Sequence, residues 1–239
     1  MKIALIGYGK MGKEMEQIAI ALNHEIVLKI STGNYSELTV ENLKKADVAI
    51  EFSTPKTAVD NILKCFEASI PVVVGTTGWL DRLEEIKALC EQNKQAFFYA
   101  SNFSVGVHLF FQLNEYLAAV MKNYPEYIPS MEEIHHIHKK DAPSGTAITL
   151  AQGLIKAHGG PEKWVLGETT NSKELAIHSK REGEVPGTHS VSYTSKVDQI
   201  TISHEAYSRK GFAEGAVHAA LWLVGKKGVF GMKDMLKIK

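Results

Sequence analysis

Apolar residues follow two alternating patterns through the first hundred residues. Short continuous apolar runs, such as Ile3–Ile6, alternate with longer stretches in which apolar residues recur every three or four positions. The runs are typical of strands buried on both faces, and the longer stretches are typical of amphipathic helices. The alternation predicts an α/β fold, a Rossmann-type parallel sheet covered by helices. The predicted strands lie within KIALI, HEIVLKI, ADVAIEF, IPVVVG and QAFFYA.

The rhythm changes after Gly106. Residues 107–124 predict one long amphipathic helix, residues 127–141 a strand that runs into a loop, and residues 144–159 a second helix. Three β-like segments follow, ELAIHSKRE, THSVSYTSK and DQITISHEAY. They predict a second α+β unit with a mostly antiparallel or mixed sheet, for which substrate binding and oligomerisation are expected.

The change of hydrophobic pattern also predicts the domain boundaries. Residues 1–105 and 210–239 are expected to form the dinucleotide-binding domain, and residues 106–209 the second domain. Residues 159–172 are rich in glycine and polar residues and predict a loop across a surface. The last predicted helix, within residues 212–228, carries small residues that suit packing back on the first sheet.

The first strand leads into a glycine motif. Gly7, Gly9 and Gly12 have the spacing G-x-G-x-x-G between a predicted strand and a predicted helix. In this context the first glycine permits a tight turn, the second lets a pyrophosphate approach the backbone, and the third brings helix and strand together. The spacing predicts dinucleotide binding.

Small and hydroxyl residues dominate the turns that follow the predicted strands. Because ligands of parallel sheets lie beyond the carboxyl ends of the strands, these turns are expected to line one crevice. They are Gly7–Gly12, Phe52–Thr54, Gly75–Thr77 and Ser101–Phe103. Turns favour such residues in any case, so the prediction depends on all four turns lying together.

The end of the second predicted strand bears on the choice of dinucleotide. An NAD site usually has an acidic residue here for the ribose hydroxyls, but this chain has Ser31 and Thr32. Lys10 is either an exposed loop lysine or a positive charge near a 2′-phosphate. NADPH is slightly favoured, and use of both NADPH and NADH stays open.

Residues 132–147, EEIHHIHKKDAPSGTA, concentrate titratable nitrogen before a helix. A zinc site is not expected, because no cysteine or close fourth ligand accompanies the histidines. Structural histidines are an alternative. Lys139 brings fixed positive charge, and His135 can titrate near neutral pH, which favours an anion site with a proton donor.

The second half of this segment predicts a carboxylate site. Ser144 is a good N-cap after Pro143, and Gly145 and Thr146 then present backbone N–H groups at a helix N-terminus. Cationic side chains beside such a terminus indicate a small substrate with two carboxylates.

Composition narrows the class of protein. The chain has 239 residues with 27 basic and 27 acidic side chains, a balance that argues against a general nucleic-acid binder. Cys65 and Cys90 form no CxxC pair, and no signal peptide or membrane-spanning run is evident. We expect a cytoplasmic protein that binds neither nucleic acid nor membrane.

The segment Glu133–Thr146 resembles the signature E-x-H-H-x-x-K-x-D-A-P-S-G-T of the 4-hydroxy-tetrahydrodipicolinate reductase family, also called dihydrodipicolinate reductases. The glycine motif, GTTG from Gly75, NFSVG from Asn102 and SRKGFAEGA near the C-terminus fall in the family's order. The resemblance implies that NADPH or NADH reduces a cyclic dicarboxylate in lysine and diaminopimelate synthesis, in a homotetramer assembled through the second sheet.

The resemblance also implies residue roles. His135 would donate or accept a proton, Lys139 would donate one, and His136, Gly145 and Thr146 would contact substrate. No metal is implied. With the crevice residues and Ser31, the expected dinucleotide contacts are Gly7, Tyr8, Gly9, Lys10, Met11, Gly12, Ser31, Phe52, Ser53, Gly75, Thr76, Thr77, Ser101, Asn102 and Phe103.

Some positions depart from the family's pattern. Where many relatives have Gly-Glu-His, this chain has Gly187, Thr188 and His189, and no catalytic role is predicted there. Residues 53–56, STPK, lack an arginine that some relatives place near the cofactor. Two alternatives remain: another NAD(P)-dependent dehydrogenase, such as one acting on a diamino acid, and a regulator that binds a dinucleotide without turnover.

Overall fold

The chain folds into two compact units. The structure, a computed structural model, describes residues 1–238. Unit 1 contains Met1–Val105 and the segment from Lys210 onward, and unit 2 contains Gly106–Arg209. Binding of a dinucleotide by unit 1 and of a substrate by unit 2 remains a prediction.

Unit 1 is built on a six-stranded, fully parallel sheet. Its strands are β1 (Lys2–Ile6), β2 (Glu25–Ile30), β3 (Val48–Glu51), β4 (Val72–Val74), β5 (Ala96–Tyr99) and β11 (Gly228–Phe230). They lie in the order β11-β5-β4-β3-β1-β2. The predicted Rossmann-type parallel sheet is confirmed.

Helices cover both faces of this sheet, as the continuous apolar strands predicted. The helices are α1 (Lys10–Ala21), α2 (Val40–Leu43), α3 (Pro55–Glu67), α4 (Leu83–Gln92), α7 (Lys210–Leu223) and α8 (Met232–Leu236), with short 3-10 segments at Thr32–Glu37 and Leu80–Arg82. On one face Ile62 and Cys65 of α3 pack with Phe97. On the other, Ala216 and Val217 of α7 pack with Phe98. Burial of both faces fixes the sheet between two apolar layers.

The carboxyl-terminal part of unit 1 contains more structure than the sequence predicted. After α7 the chain adds β11 at the edge of the sheet, beside β5, and then α8. A strand of three residues is too short to show a period, and the segment GVF is defined only by its pairing with β5.

Unit 2 is built on a five-stranded mixed sheet, and the predicted second α+β unit is confirmed. The strands are β6 (Ile128–His135), β7 (Lys163–Leu166), β8 (Glu174–Arg181), β9 (Gly187–Thr194) and β10 (Gln199–Ala206), and the helices are α5 (Val105–Met121) and α6 (Gly145–His158). The strand order is β10-β9-β6-β8-β7. β6 and β8 are parallel, while β6 and β9, and β9 and β10, are antiparallel.

The core of unit 2 lies between one face of this sheet and its two helices. Phe110 of α5 and Leu150 and Leu154 of α6 pack with Ile177 and Tyr193 of the strands. Along β9 every second residue from the glycine at 187 to Tyr193 is buried, which is the period of a strand with one covered face.

One expectation for unit 2 was wrong. Residues 159–172 are not a loop throughout, because β7 occupies Lys163–Leu166 and pairs in parallel with β8. The strand is short and lies at the sheet edge between glycine-rich flanks, so its local sequence resembles a loop. Within residues 1–238, no helix combines the length and the apolar character needed to cross a membrane.

Candidate functional site

A crevice opens in unit 1 where the strand order reverses. β1 lies between β2 and β3, so the connections from β1 to its two neighbours leave in opposite directions, and ligands of such sheets bind at this point. A cavity of about 420 Å³ lies here. Its lining residues are Ile6, Gly7, Tyr8, Gly9, Ile30, Ser31, Thr32, Tyr35, Phe52, Ser53, Thr54, Thr57 and Asn61.

The glycine loop has the geometry that its spacing predicted. Gly7 has φ +100°, and a Cβ atom there would lie 2.0 Å from the carbonyl oxygen of Phe52. At Gly12 a Cβ atom would lie 2.6 Å from the carbonyl oxygen of Gly7. Neither position can carry a side chain without moving backbone. Around Gly9, the N-cap of α1, a Cβ atom would meet nothing within 4 Å, so the helix N-terminus faces open space suited to a phosphate.

The end of β2 holds no acidic residue toward the cavity. Ser31 is engaged locally, since its hydroxyl and backbone N–H both contact Oδ1 of Asn34, at 3.0 and 2.8 Å. Glu16 points elsewhere and is occupied by Tyr8 and by Lys29. Lys10 is exposed at the first position of α1, and Met11 follows it. None of the described residues that line the cavity is acidic.

The other predicted cofactor residues lie in the turns after β4 and β5. Thr76 is buried, and its hydroxyl accepts a hydrogen bond from the backbone N–H of Ser53 at 2.8 Å. Its neighbours Gly75 and Thr77 flank it after β4. After β5, Ser101 is exposed and Asn102 is half-buried. Phe103 is buried with its ring 5.5 Å from that of Phe52, so only its backbone could reach a ligand.

Sequence reasoning missed part of the cavity wall. Asn61 of α3 is buried and donates to Oε1 of Glu51 at 3.1 Å, and it accepts from the hydroxyl of Tyr35 at 2.9 Å. A buried asparagine within the apolar stripe of α3 was the available signal. Glu51 is also fully buried, and burial raises its pKa despite hydrogen bonds from Ser53, Thr76 and Asn61.

In unit 2, β6 ends at His135, and the histidines and lysines that follow lie in a turn. The strand therefore ends four residues before Lys139. The Lys139 ammonium lies 2.8 Å from both carboxylate oxygens of Asp141, and this contact lowers the pKa of Asp141. His136 is half-buried, and its Nδ1 has no hydrogen-bond partner among the described residues.

The N-terminus of α6 forms as predicted. Ser144 caps the helix, and its hydroxyl accepts a hydrogen bond from the backbone N–H of Ala147 at 3.2 Å. Gly145 is exposed and Thr146 is half-buried in the first turn. The backbone N–H of Ser144 donates to the Glu133 carboxylate at 3.1 Å, which attaches this helix end to β6.

Glu133 is the centre of a buried polar cluster. Its Oε2 lies 3.5 Å from Nε2 of His135 and 3.7 Å from Nε2 of His189, and these two nitrogens are 3.4 Å apart. Its Oε1 accepts from the Ser179 hydroxyl at 2.8 Å and lies 3.4 Å from Arg181. Hereafter the histidine cluster means Glu133, His135 and His189.

Electrostatics within the histidine cluster favour an ionised carboxylate. Burial alone would raise the pKa of Glu133, but interactions with His135, His189, Ser144 and Ser179 outweigh it and hold that pKa well below its usual range. Burial lowers the pKa of His189. Glu133 therefore stays ionised beside the imidazoles of His135 and His189.

The sequence did not predict most of this cluster. Glu133 appeared only as part of a motif, no role was given to His189, and Ser179 and Arg181 were not considered. Glu133 lies opposite His189 in the antiparallel pair and opposite Ser179 in the parallel pair. Only this non-local register brings the residues together, although the alternation along β9 could have placed His189 on the buried face.

The two units match the two parts of one protein family. Residues 1–103 match the family profile described as dihydrodipicolinate reductase, N-terminus, and residues 106–236 match dihydrodipicolinate reductase, C-terminus. A 4-hydroxy-tetrahydrodipicolinate reductase from Christiangramia forsetii is 49% identical over 238 residues, covering 99% of this chain and 98% of that protein. A relative of the same name from Methanoculleus marisnigri is 41% identical over 199 residues, covering 82% of this chain and 77% of the relative.

Solved structures resemble the fold. A dipicolinate-bound dihydrodipicolinate reductase from Paenisporosarcina sp. TG-14 matches with a TM-score of 0.77 at 23% identity, covering 98% of each chain. An amine dehydrogenase from Mycobacterium smegmatis matches with a TM-score of 0.58 at 10% identity, covering 96% of this chain and 94% of the other. Since both profile halves match in order and a relative is 49% identical over nearly the whole length, the chain belongs to the dihydrodipicolinate reductase family.

Proposed function

We propose that this protein reduces 4-hydroxy-tetrahydrodipicolinate to tetrahydrodipicolinate with NADPH or NADH, in the synthesis of diaminopimelate and lysine. The observation that carries the proposal is the arrangement around Glu133. This carboxylate joins the N-terminus of α6, where an anion binds well, to the imidazole of His135. A dehydrogenase acting on a diamino acid would not require this arrangement, and the family membership of the chain does not favour it.

Unit 1 fits a dinucleotide. At Gly7 the backbone lies close to that of Phe52, and at Gly12 it lies close to that of Gly7. The open space at Gly9 leaves the first N–H groups of α1 available to a pyrophosphate. Tyr8, Lys10 and Met11 complete this loop. When bound, the reduced nicotinamide supplies a hydride.

The choice between NADPH and NADH depends on the ribose end of the cavity. A carboxylate at this position would repel a 2′-phosphate, and no described lining residue is acidic. Ser31 and Thr32 offer hydroxyls to either cofactor. We therefore propose that both cofactors are used, with NADPH slightly preferred.

Unit 2 supplies the groups for the substrate. We assign the two carboxylates of the substrate to Lys139, His136, the N–H groups of Gly145 and Thr146, and the hydroxyl of Thr146. The hydride and one proton together replace the 4-hydroxyl group of the substrate, which leaves as water. His135 holds the proton that this reaction consumes, with Lys139 as a second donor. Glu133 lies 3.5 Å from His135 and holds its imidazole in place without itself touching substrate.

The oligomeric state and the cellular location complete the proposal. We propose a homotetramer formed through the sheet of unit 2, because β10 is an edge strand whose Ile200 side chain is exposed. Light scattering of the purified protein tests this assignment. We also propose a cytoplasmic location, consistent with two buried free cysteines, Cys65 and Cys90.

Steady-state rates with freshly generated substrate test the proposed reaction. NADPH and NADH are supplied in parallel, and the loss of nicotinamide absorbance is followed. Oxidation of both cofactors that requires the cyclic dicarboxylate supports the proposal. Oxidation with a diamino acid alone would indicate the rival dehydrogenase, and tight cofactor binding without turnover on any dicarboxylate would indicate a sensor.

A further inference from the structure

Arg181 is the last residue of β8 and lies beside the end of β6. In the parallel pairing of the two strands it is opposite His135. From His135 the chain enters residues 136–144, hereafter the β6–α6 connection, which carries the proposed substrate groups His136 and Lys139. The Arg181 side chain is 21% exposed, so most of it is enclosed by its neighbours. A guanidinium group is therefore built into the protein next to the segment that is proposed to bind substrate.

The β6–α6 connection contains no helix or strand of its own. Its backbone contacts include those of Ile137 N–H with the carbonyl oxygen of Gly183 and of Lys139 N–H with that of His136, both at 3.1 Å. Where no helix or sheet supplies partners, the polar groups of the backbone take them from side chains. The position of Lys139 therefore depends on the side chains that bind this connection.

The Arg181 guanidinium binds the β6–α6 connection at two points. Its Nε donates to the carbonyl oxygen of Lys139 at 3.3 Å, and its Nη2 donates to that of Asp141 at 2.6 Å. Nη2 also lies 3.4 Å from Oε1 of Glu133 on β6, and Nη1 donates to the carbonyl oxygen of Lys180 on β8 at 2.7 Å. One rigid, planar group thereby joins both strands to the connection.

The distances decide between two roles for Arg181. A residue that only neutralised Glu133 would have the carboxylate as its nearest acceptor. Instead the carbonyl oxygen of Asp141 is nearer, at 2.6 Å against 3.4 Å. The carboxylate of the same aspartate accepts from the Lys139 ammonium at 2.8 Å through both oxygens. Arg181 thus fixes the main chain of the connection and, through Asp141, the direction of the Lys139 side chain.

We propose that Arg181 is a positioning residue for the dicarboxylate site, whose guanidinium holds the β6–α6 connection in the conformation in which Lys139 and His136 meet the substrate. This inference rests on the proposed function. The N–H groups of Arg181 are directed at protein acceptors, so Arg181 acts through the connection and not by touching substrate. The sequence did not predict this role, because only the pairing of β8 with β6 brings Arg181 to the connection.

Arg181→Lys separates the charge from the forked geometry. A single ammonium nitrogen keeps the charge but cannot reproduce the fork that spans the carbonyl groups of Lys139 and Asp141. We expect the turnover number to fall by about 10- to 100-fold and KM for the dicarboxylate to rise, because the groups that meet the substrate are misplaced. The dissociation constant of NADPH should not change. Lys180→Ala is the matched control, because this neighbouring side chain is 50% exposed and pairs with Glu132.

Amide hydrogen exchange of the full-length protein, followed by mass spectrometry without substrate, tests the position of the connection directly. Exchange within residues 136–144 should be faster in Arg181→Lys and Arg181→Ala than in the wild type and in Lys180→Ala. Exchange within β6 should be the same in all four proteins. Guanidinium ion at millimolar concentration should restore part of the turnover of Arg181→Ala in a saturable manner, without raising that of the wild type or of Lys180→Ala.

Circular dichroism and NADPH binding check that each variant is folded, and either of the two Arg181 variants suffices for the comparison. Wild-type exchange within residues 136–144 in a folded Arg181 variant, or wild-type kinetic constants despite faster exchange, would overturn the positioning role. Either result would leave the proposed function intact if the wild type reduces the dicarboxylate. Faster exchange confined to the Arg181 variants of a protein that reduces no dicarboxylate would keep the contact with the connection and reject the function.

Discussion

Two carboxylates, one in each unit, are fully buried and have opposite electrostatic surroundings. Glu51 at the end of β3 contacts only hydroxyl, amide and backbone N–H groups, and burial raises its pKa. Glu133 near the end of β6 contacts two imidazoles and a guanidinium, and its pKa is held well below the usual range. Both side chains are inaccessible to solvent. The contacts with His135 and His189, which Glu51 lacks, lower the pKa of Glu133.

This contrast indicates a structural role for Glu51 and a role in substrate chemistry for Glu133. Neutral donors suffice for a carboxyl group that links two turns beneath the cavity of unit 1. An anion surrounded by groups that exchange protons suits a site where a charged substrate is bound and protonated. The following substitutions test this division, and they are ordered from the largest expected effect to the smallest.

The largest effect is expected at His135. His135→Gln should lower the turnover number by about 10²- to 10⁴-fold, because it removes the proposed proton donor. Binding of NADPH should be unchanged, since the glycine loop lies in unit 1. Steady-state kinetics and fluorescence titration measure the two quantities. Equal, small losses from His135→Gln and His138→Gln would remove His135 from the catalytic role.

Removal of the charge at Glu133 should destabilise the protein. Glu133→Gln replaces the charge-assisted contacts with Arg181, Ser179 and the N-terminus of α6 by neutral ones. We therefore expect the free energy of unfolding to fall by about 1.5–3 kcal/mol. Urea unfolding at neutral pH measures it. Unfolding that matches the wild type would show that the charge of Glu133 is dispensable for stability.

A smaller effect is expected at the N-terminus of α6. Thr146→Val keeps the shape of the side chain and removes its hydroxyl, so KM for the dicarboxylate should rise by about three- to tenfold with little change in turnover. Parallel kinetics with varied NADPH provide the control, because KM for the cofactor should not move. A fall in turnover at constant KM would place Thr146 in the chemical step instead.

The smallest effect is expected at Glu51, and its sign depends on pH. The pKa of Glu51 is raised in the folded protein, so the stability linked to its bound proton is present at acidic pH and is lost as the pH rises. Glu51→Gln should therefore gain stability relative to the wild type as the pH increases, by at most about 1 kcal/mol at neutral pH. Unfolding curves at several pH values measure this trend, and a gap that widens in favour of the wild type at high pH would contradict it.

The two units also differ in how far their sequences predicted them. The features of unit 1 lie in contiguous segments: three glycines at the junction of β1 and α1, and small residues after each strand. In unit 2 the helix cap at Ser144 was similarly local and was predicted. The pairing of Glu133 with His189 was not, because it depends on the register of β6 against β9, more than fifty residues apart in the chain. Short edge strands such as β7 and β11 were missed because pairing, not periodicity, defines them.

The most direct test of the account follows the hydride. Reduced nicotinamide dinucleotide carrying deuterium at C4 of the transferred face is supplied with the freshly generated substrate, and the product is analysed by mass spectrometry. The account predicts one deuterium in each tetrahydrodipicolinate formed and oxidised cofactor in equal amount. Product without deuterium, or oxidised cofactor without this product, would contradict it.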